Sequence, residues 1–255
     1  MHFCKISILI HDKPPYFIGS QIRGALGYAL KRVTCINPSY RCEGCFATAN
    51  CLYYEFYEAK NTTHKFRLDF ALGGDYYDFS IYLFEDTLPK LPYLISALYE
   101  MLSRNGLGVE RKTYREFELY INEKKALKNG QIQLPKETMQ IFHIDKTYSD
   151  VTLKFVTPLR IKRGNRFIRD DSITLADIIN SIYNRQMQLL SRAYKKFPHS
   201  IEGTIVSKEI EYKELTRRSN RQKSTMKLGG VVGKMRIEGL NQESYGLGKI
   251  EVEGV

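Results

Sequence analysis

Short stretches in which apolar and polar residues alternate, as in β-strands, are separated by stretches whose apolar residues have helical spacing. This order of predicted elements constrains the fold more than any other feature of the sequence. Residues 2–10, HFCKISILI, alternate as a half-buried strand does, and residues 18–32 have the spacing of a helix. One stripe of that helix carries Ile18, Ile22, Leu26 and Leu30. Further strands are predicted at about 65–72, 77–84 and 114–122, and a helix at about 90–104. The predicted order of elements is βαββαβ.

The second part of the chain restarts this pattern. The predicted elements are a strand at VTLKFVTPLRI, a helix at 174–196 capped by Ser172 or Thr174, strands at 203–213 and 225–238, and a last strand at GLGKIEVE. We therefore predict an α+β protein with two tandem ferredoxin-like (βαββαβ, RRM-like) domains, 1–148 and 149–255. Residues 239–245 are too few for a helix before the last strand. The second domain is therefore predicted either to have no second helix or to have lost the segment that forms it from this sequence.

Positive charge is concentrated in the second part. Residues 1–150 hold 19 Lys and Arg against 17 Asp and Glu, whereas residues 151–255 hold 20 against 11. A positive electrostatic field concentrated on one half of a chain favours binding of a polyanion, and nucleic acid is therefore the leading candidate partner.

The segment 217–236, RRSNRQKSTMKLGGVVGKMR, carries seven Lys and Arg and no carboxylate while alternating like a strand. Its cations could bind phosphates, its amides could add neutral hydrogen bonds, and its glycines could let a backbone approach closely. A solvated basic strand is the alternative interpretation. The candidate RNA-binding residues are Arg217, Arg218, Asn220, Arg221, Gln222, Lys223 and Lys227, with Arg23 on the first helix as an extension of the basic surface.

Several classes of protein do not fit the sequence. No apolar run approaches the roughly 18 residues of a membrane span, and the N-terminus does not read as an export signal, which predicts a cytoplasmic protein without a membrane partner. Neither a P-loop nor a dinucleotide-binding glycine motif is present, since Gly24 and Gly27 fall within the predicted first helix.

Four of the five cysteines fall within seventeen residues, in an insertion at about 33–58. Cys35, Cys42, Cys45 and Cys51 have the spacing C-x6-C-x2-C-x5-C, in which Cys42 and Cys45 form a tight chelating turn. Four thiolates suit a structural zinc ion, which we favour over an iron–sulfur cluster because nothing in the sequence calls for electron transfer. Four reduced cysteines in a folded insertion are the alternative.

Three motifs together resemble a known family. They are IGSQIRGALGYALKR followed by the cysteine cluster, TPLRIK ahead of a helix containing NRQMQLLSRAY, and SNRQKSTMKLGGVVG near the end. The chain resembles the CRISPR-associated endoribonucleases of the RAMP superfamily, the sixth Cas protein family, and within it a subgroup with a four-cysteine insertion and a C-terminal SNRQ…GG motif. The resemblance implies binding of CRISPR repeat RNA and its cleavage to mature crRNA without a metal ion.

The resemblance also implies where the chemistry lies. Such cleavage proceeds by attack of a ribose 2′-hydroxyl on the adjacent phosphate, which leaves 2′,3′-cyclic phosphate and 5′-hydroxyl ends, and it needs a base, an acid and a cation. The general base of the superfamily commonly lies in or just before the first helix, where this chain has His11, with Lys13 and Tyr16 close by. His64 is the reserve, and a site built on tyrosines and lysines, or no activity, stays open.

Two other functions remain. A noncatalytic RAMP subunit would keep the basic surface and hold crRNA in an effector complex with other Cas proteins. A zinc-stabilised RNA-binding protein unrelated to CRISPR would bind through stacking and phosphate contacts with little sequence preference. The absence of a cyclic phosphate product would favour the first, and an unselective RNA footprint the second.

Overall fold

A computed structural model gives the architecture of the chain. It describes residues 1–193, 196–219 and 224–246, and of residues 217–219 and 224–226 it describes the backbone. The chain is a mixed α+β protein with antiparallel sheets, and it divides into two compact units, Met1–Phe142 and His143–Val255. The boundary that the sequence predicted, between residues 148 and 149, lies within the second unit.

The first unit follows the order strand, helix, strand, strand, helix, strand. Its main elements are β1 (His2–Ile10), α1 (Gly19–Thr34), β2 (Phe66–Phe70), β3 (Tyr77–Phe84), α2 (Leu91–Glu100) and β4 (Glu118–Ile121). Two-residue strands follow at β5 (Lys124–Lys125), β6 (Leu127–Lys128), β7 (Gln131–Ile132) and β8 (Gln140–Ile141). Short 3-10 helices lie at Thr48–Asn50 and Glu85–Lys90, and short π-helices at Tyr54–Glu58 and Met101–Asn105.

Strand β1 is central to the sheet of this unit. The strand order is β2-β3-β1-β4-β5, and β1 pairs antiparallel with both β3 and β4. Because side chains alternate across a strand, Cys4, Ile6, Ile8 and Ile10 of β1 are all buried while the residues between them are partly exposed. The end of β1 is therefore held between the start of β3 and the start of β4.

The helices of this unit bury the predicted apolar stripes. Ile18, just before α1, and Ile22, Leu26 and Leu30 within it are all at most 3% exposed, as the helical spacing predicted. Helix α2 ends at Glu100 and continues as the π-helix, so the single helix predicted at 90–104 is divided in two. Both helices join the strands in one apolar core.

The second unit has a smaller sheet. Its elements are β9 (Val151–Leu159), β10 (Lys162–Arg163), β11 (Arg166–Phe167), α3 (Leu175–Leu189), β12 (Thr204–Lys213), β13 (Thr216–Ser219), β14 (Ser224–Lys227) and β15 (Gly230–Glu238). The three long strands lie in the order β12-β15-β9, all antiparallel. Ile178, Ile179 and Ile182 of α3 belong to one core with Met235 and Ile237 of β15.

Helix α3 begins where the sequence predicted and ends earlier. The Thr174 hydroxyl accepts a hydrogen bond from the Asp177 amide, and the Asp177 carboxylate accepts one from the Thr174 amide, which is a capping box. The helix ends at Leu189, so its predicted extension to residue 196 was wrong.

Two other expectations for this unit need correction. The strand predicted at 225–238 is two strands, because β14 turns back onto β13 and β15 starts at Gly230. Residues 242–246 are helical, although the sequence predicted no helix there, and Tyr245 packs against the core. The predicted strand GLGKIEVE starts at Gly246, and the rest of it lies outside the described residues.

Candidate functional site

The loop after β1 contacts residues at the starts of β3 and β4. In the sheet register, Ile10 faces Tyr77 of β3 and Leu9 faces Glu118 of β4. His11 follows directly and is exposed, and its ring makes a T-shaped contact with the Tyr76 ring, with 5.1 Å between the centroids. The end of β1 thus places a histidine beside a tyrosine that is half exposed.

Glu118 of β4 lies close enough to His11 for the charge of the histidine to act on its carboxylate. A hydrogen bond from the Tyr120 hydroxyl is the main reason that the pKa of Glu118 lies below its ordinary value. Lys125, with 3.8 Å between its Nζ and Oε1 of Glu118, and His11 lower the pKa further. An ionised carboxylate therefore lies near His11 at the end of β1.

Lys13 and Tyr16 meet the turn between β2 and β3. Lys13 Nζ lies 2.9 Å from the Asp75 carboxylate, and the Gly73 amide donates a hydrogen bond of 2.9 Å to the Tyr16 carbonyl. A Cβ at Gly73 would lie 3.1 Å from the Tyr16 ring, so this ring lies over the turn. The three residues predicted as catalytic thus sit on one loop against one turn, with Tyr76 directly after it.

A buried tyrosine anchors this loop. The Tyr114 hydroxyl donates a hydrogen bond of 2.7 Å to Asp12, and Lys112 Nζ lies 2.8 Å from the same carboxylate. These two contacts, that of Lys112 first, hold the pKa of Asp12 below its ordinary value, while burial above all raises the pKa of Tyr114. Asp12 therefore fixes the segment from which His11 and Lys13 project.

The reserve histidine lies in a different environment. His64 is partly buried, and its Nδ1 lies 2.8 Å from the carbonyl oxygen of Glu55. Because a carbonyl can only accept, Nδ1 must carry the proton, and in the neutral ring Nε2 keeps its lone pair. A ring oriented in this way could also act as a base, so His64 remains a second candidate.

Arg23 of α1 is held by aromatic rings. Its guanidinium lies 4.9 Å from the centroid of Tyr57 and 5.1 Å from that of Phe66, and Nη2 donates to the Phe56 carbonyl at 3.4 Å. These contacts fix Arg23 against the insertion after α1 and account for part of its donor capacity.

The predicted basic strand forms a hairpin. Arg217 and Arg218 lie on β13, opposite Met226 and Thr225 of β14, in a register that runs from Thr216 to Lys227. Lys227 is exposed and forms an ion pair of 2.9 Å with Glu214. The predicted binding residues Asn220, Arg221, Gln222 and Lys223 lie outside the described residues.

The four clustered cysteines line one recess with Thr34 and Tyr53. All four are free thiols with intermediate exposure, and the Cys45 amide donates to the Cys42 carbonyl at 3.2 Å, which closes the predicted turn. Burial raises the pKa of Cys42, and the nearby Cys51 and Cys35 add to this. In the part of the chain that the structure describes, however, no three His, Cys, Asp or Glu side chains stand in an arrangement that could hold a metal ion.

Sequence reasoning missed several members of the site around His11. Asp75 and Tyr76 lie in the short link between the strands predicted at 65–72 and 77–84, and Glu118 and Tyr120 lie in the strand predicted at 114–122, where nothing in the local pattern marks them as site residues. The sheet register is the signal that joins them, since it sets which residues flank the end of β1.

The family is established by residues 11–139, which match the model described as the AF_1859_N N-terminal domain. That range is just over half of the chain, and the chain belongs to this family. A search of curated proteins gave no match.

Solved structures similar to this chain include Cas6 proteins. A Cas6 product complex has 16% identity and a TM-score of 0.55, covering 100% of this chain and 94% of that one. Thermus thermophilus Cas6 has 13% identity and a TM-score of 0.51, covering 99% and 91%. At such identities the similarity concerns the fold. No helix among the described residues is long and apolar enough to cross a membrane.

Proposed function

We propose that this protein binds CRISPR repeat RNA and cleaves it without a metal ion, as an endoribonuclease that processes precursor crRNA. The observation that carries the proposal is the loop after β1, which presents exposed His11, Lys13 and Tyr16 together against the β2–β3 turn. Similarity of fold over nearly the whole chain to a protein described as a Cas6 product complex supports the RNA substrate.

The proposed chemistry balances within the RNA. The 2′-oxygen of one ribose bonds to the adjacent phosphorus and gives up its proton to a base, for which we propose His11. The bond from phosphorus to the 5′-oxygen breaks, and that oxygen takes a proton from an acid, for which we propose Tyr16. Lys13 would stabilise the charge on the phosphorane, because its exposed ion pair with Asp75 costs little to exchange for a phosphate.

The first test uses a labelled repeat RNA from the same genome in the presence of EDTA. The same RNA with a 2′-deoxy sugar at each candidate site is the matched substrate. We expect one cut, abolished by a single deoxy substitution, with a cyclic phosphate on the 5′ fragment. Cutting that survives every deoxy substitution would contradict the proposed mechanism, and so would cutting that EDTA abolishes and that magnesium restores in the absence of zinc.

The second test separates the two candidate histidines. His11→Ala should lower the single-turnover rate about 10²- to 10⁴-fold, the usual contribution of a general acid or base. His64→Ala is the competing variant, and His143→Ala, which removes an exposed histidine of the second unit, is the control. A larger loss in His64→Ala than in His11→Ala would assign the base to His64, between the insertion and β2.

The alternative function is a noncatalytic RAMP subunit. The Lys13–Asp75 pair is exposed, and the His11 ring contacts the Tyr76 ring but makes no hydrogen bond to any described residue. Both features are also compatible with a surface that only binds RNA. Tight binding of repeat RNA without a cyclic phosphate product would favour this function. Equal binding of unrelated RNA would instead favour a general RNA-binding protein.

We propose a ferredoxin-like fold for both units. The order β2-β3-β1-β4 in the first unit is that of a four-stranded ferredoxin-like sheet, and β12-β15-β9 in the second reproduces three of those four positions. An experimental structure that places a fourth strand anywhere other than beside β9 would contradict the assignment for the second unit.

We also propose a structural zinc ion bound by Cys35, Cys42, Cys45 and Cys51. All four cysteines line the same recess, which supplies the right donors, and their side chains would have to rearrange to complete a tetrahedral shell. Protein purified without chelator should contain about one equivalent of zinc, and Cys42→Ser should lose it. Iron with bound sulfide would indicate a cluster, and no metal would leave four reduced thiols.

A further inference from the structure

A basic hairpin in the second unit stands apart from the segment 217–236. Strands β10 and β11 pair Lys162 with Phe167 and Arg163 with Arg166. Residues 160–169, RIKRGNRFIR, contain five Lys and Arg and no carboxylate. This density of charge suits phosphate binding, provided that the hairpin is fixed in place and holds these side chains exposed to a ligand.

The hairpin is a fixed element. Gly164 and Asn165 at its tip have φ values of 55° and 64°, the left-handed pair that a type I′ turn requires. At its base, Ile161 and Ile168 are buried in the core, and the Ile168 amide donates to the Ile161 carbonyl at 3.0 Å. Residues 162–167 between these anchors are exposed.

One arginine holds the hairpin to α3. Nε of Arg163 donates to Asp177 Oδ1 at 3.1 Å, its Nη2 also bonds this carboxylate, and Nη2 donates to the Ser172 carbonyl at 2.9 Å. The carboxylate at the start of α3 is therefore occupied by Arg163, which leaves it unable to neutralise the other cations of the hairpin.

The remaining cations form no ion pair with any described residue. They are Arg160, Lys162, Arg166 and Arg169. Arg160 lies 4.4 Å and Lys162 4.9 Å from the centroid of the Phe167 ring, so both are held by cation–π contacts while their donors stay exposed. Holding the two cations by a ring lowers the entropy cost of engaging a ligand.

The basic surface continues beyond the hairpin. Arg169 lies 5.8 Å from the ring centroid of Tyr212 on β12. Lys227, at the end of β14, lies close enough for the charge of Arg169 to act on it, although its bond to Glu214 dominates and raises its pKa. Arg169 thus connects the β10–β11 hairpin to the base of the β13–β14 hairpin within one unit.

From these contacts we infer that the β10–β11 hairpin is a second RNA-binding element, in which Arg160, Lys162 and Arg166 contact phosphates of the same RNA strand that the β13–β14 hairpin engages. This inference rests on the proposed function for its choice of RNA as the polyanion. Phosphate contacts of this kind position a strand and carry no sequence information.

The test measures the salt dependence of RNA binding by the full chain. The probe is a repeat RNA made uncleavable by a 2′-deoxy sugar, with a scrambled RNA of equal length beside it. Arg160→Gln with Lys162→Gln should weaken binding to both RNAs, on the order of tenfold, and lower the slope of log K against log salt by about 1.4. Lys146→Gln with Lys196→Gln removes two exposed cations of the same unit and is the control.

A second variant tests the ring. Phe167→Leu keeps both charges and an apolar side chain, so we expect the salt slope to stay as in wild type while affinity falls about 2- to 5-fold. Circular dichroism establishes that each variant is folded before binding is compared.

The outcomes separate this inference from the proposed function. An unchanged salt slope in the double variant, or a loss of affinity equal to that of the control, would overturn the RNA-binding role of the β10–β11 hairpin even if wild type cleaves repeat RNA. A reduced slope together with no deoxy-sensitive cut in wild type would support the hairpin and reject the nuclease. If the wild-type protein binds neither RNA, the inference that the hairpin binds RNA is rejected.

Discussion

The carboxylate of Asp177 allows a stability prediction to be worked out in full. It caps α3 through Thr174 and holds Arg163 of the β10–β11 hairpin, and its side chain is 13% exposed. The hydrogen bonds from Arg163 above all, and those from Thr174, lower its pKa from 3.8 to about 2 against the opposing effect of burial. We therefore expect Asp177→Asn to destabilise the second unit.

The magnitude follows from the difference between folded and unfolded pKa values. A carboxyl with these two values contributes about 2 kcal/mol to the free energy of unfolding at neutral pH. Because the folded pKa is the lower one, the contribution is complete above the unfolded pKa and is lost as pH falls through the folded pKa. About half of it should be gone by pH 3, and nearly all by pH 2.

The assay is urea unfolding followed by far-ultraviolet circular dichroism at pH 7, 5 and 3. Wild type should exceed Asp177→Asn by about 2 kcal/mol at the two higher values and by about half as much at pH 3. Asp171→Asn, an exposed carboxylate with no ion pair among the described residues, is the control and should change little. A difference that stays constant between pH 7 and 3, or one that Asp171→Asn reproduces, would refute the reasoning.

Further predictions concern single contacts in the two units. In Gly233→Ala, a Cβ would collide with the Glu209 carbonyl at a φ of 124°, so the melting temperature should fall far more than in Gly239→Ala, where nothing lies within 4 Å; equal losses would contradict this. Tyr114→Phe removes the bond to Asp12 and should cost about 1–2 kcal/mol in urea unfolding, while leaving Lys112 in place; a neutral effect would show that the anchor is unimportant. The same variant should also slow RNA cleavage by loosening the loop of His11, and an unchanged single-turnover rate would argue against that role.

Much of the fold could be predicted from local patterns. The nine residues of β1 and the apolar stripe of α1 were predicted as they are found, because alternation and helical spacing report directly which face is buried. The β10–β11 hairpin was missed, since two-residue strands carry no periodic signal, although Gly164-Asn165 is a turn pair that could have marked it. The length of α3 was overestimated because a propensity for helix does not fix where the chain turns back.

Local sequence patterns were enough to predict the order of strands and helices in the first unit, the concentration of cations in the second part, and the presence of four closely spaced cysteines. The residues that surround His11 are set by the folded chain, because Tyr76 and Glu118 come to it through strand pairing across gaps of 65 and 107 residues. The fold likewise sets which cations are available to bind a ligand. Whether a lysine or arginine has a carboxylate or an aromatic ring as its neighbour depends on long-range packing, and composition counts every cation alike.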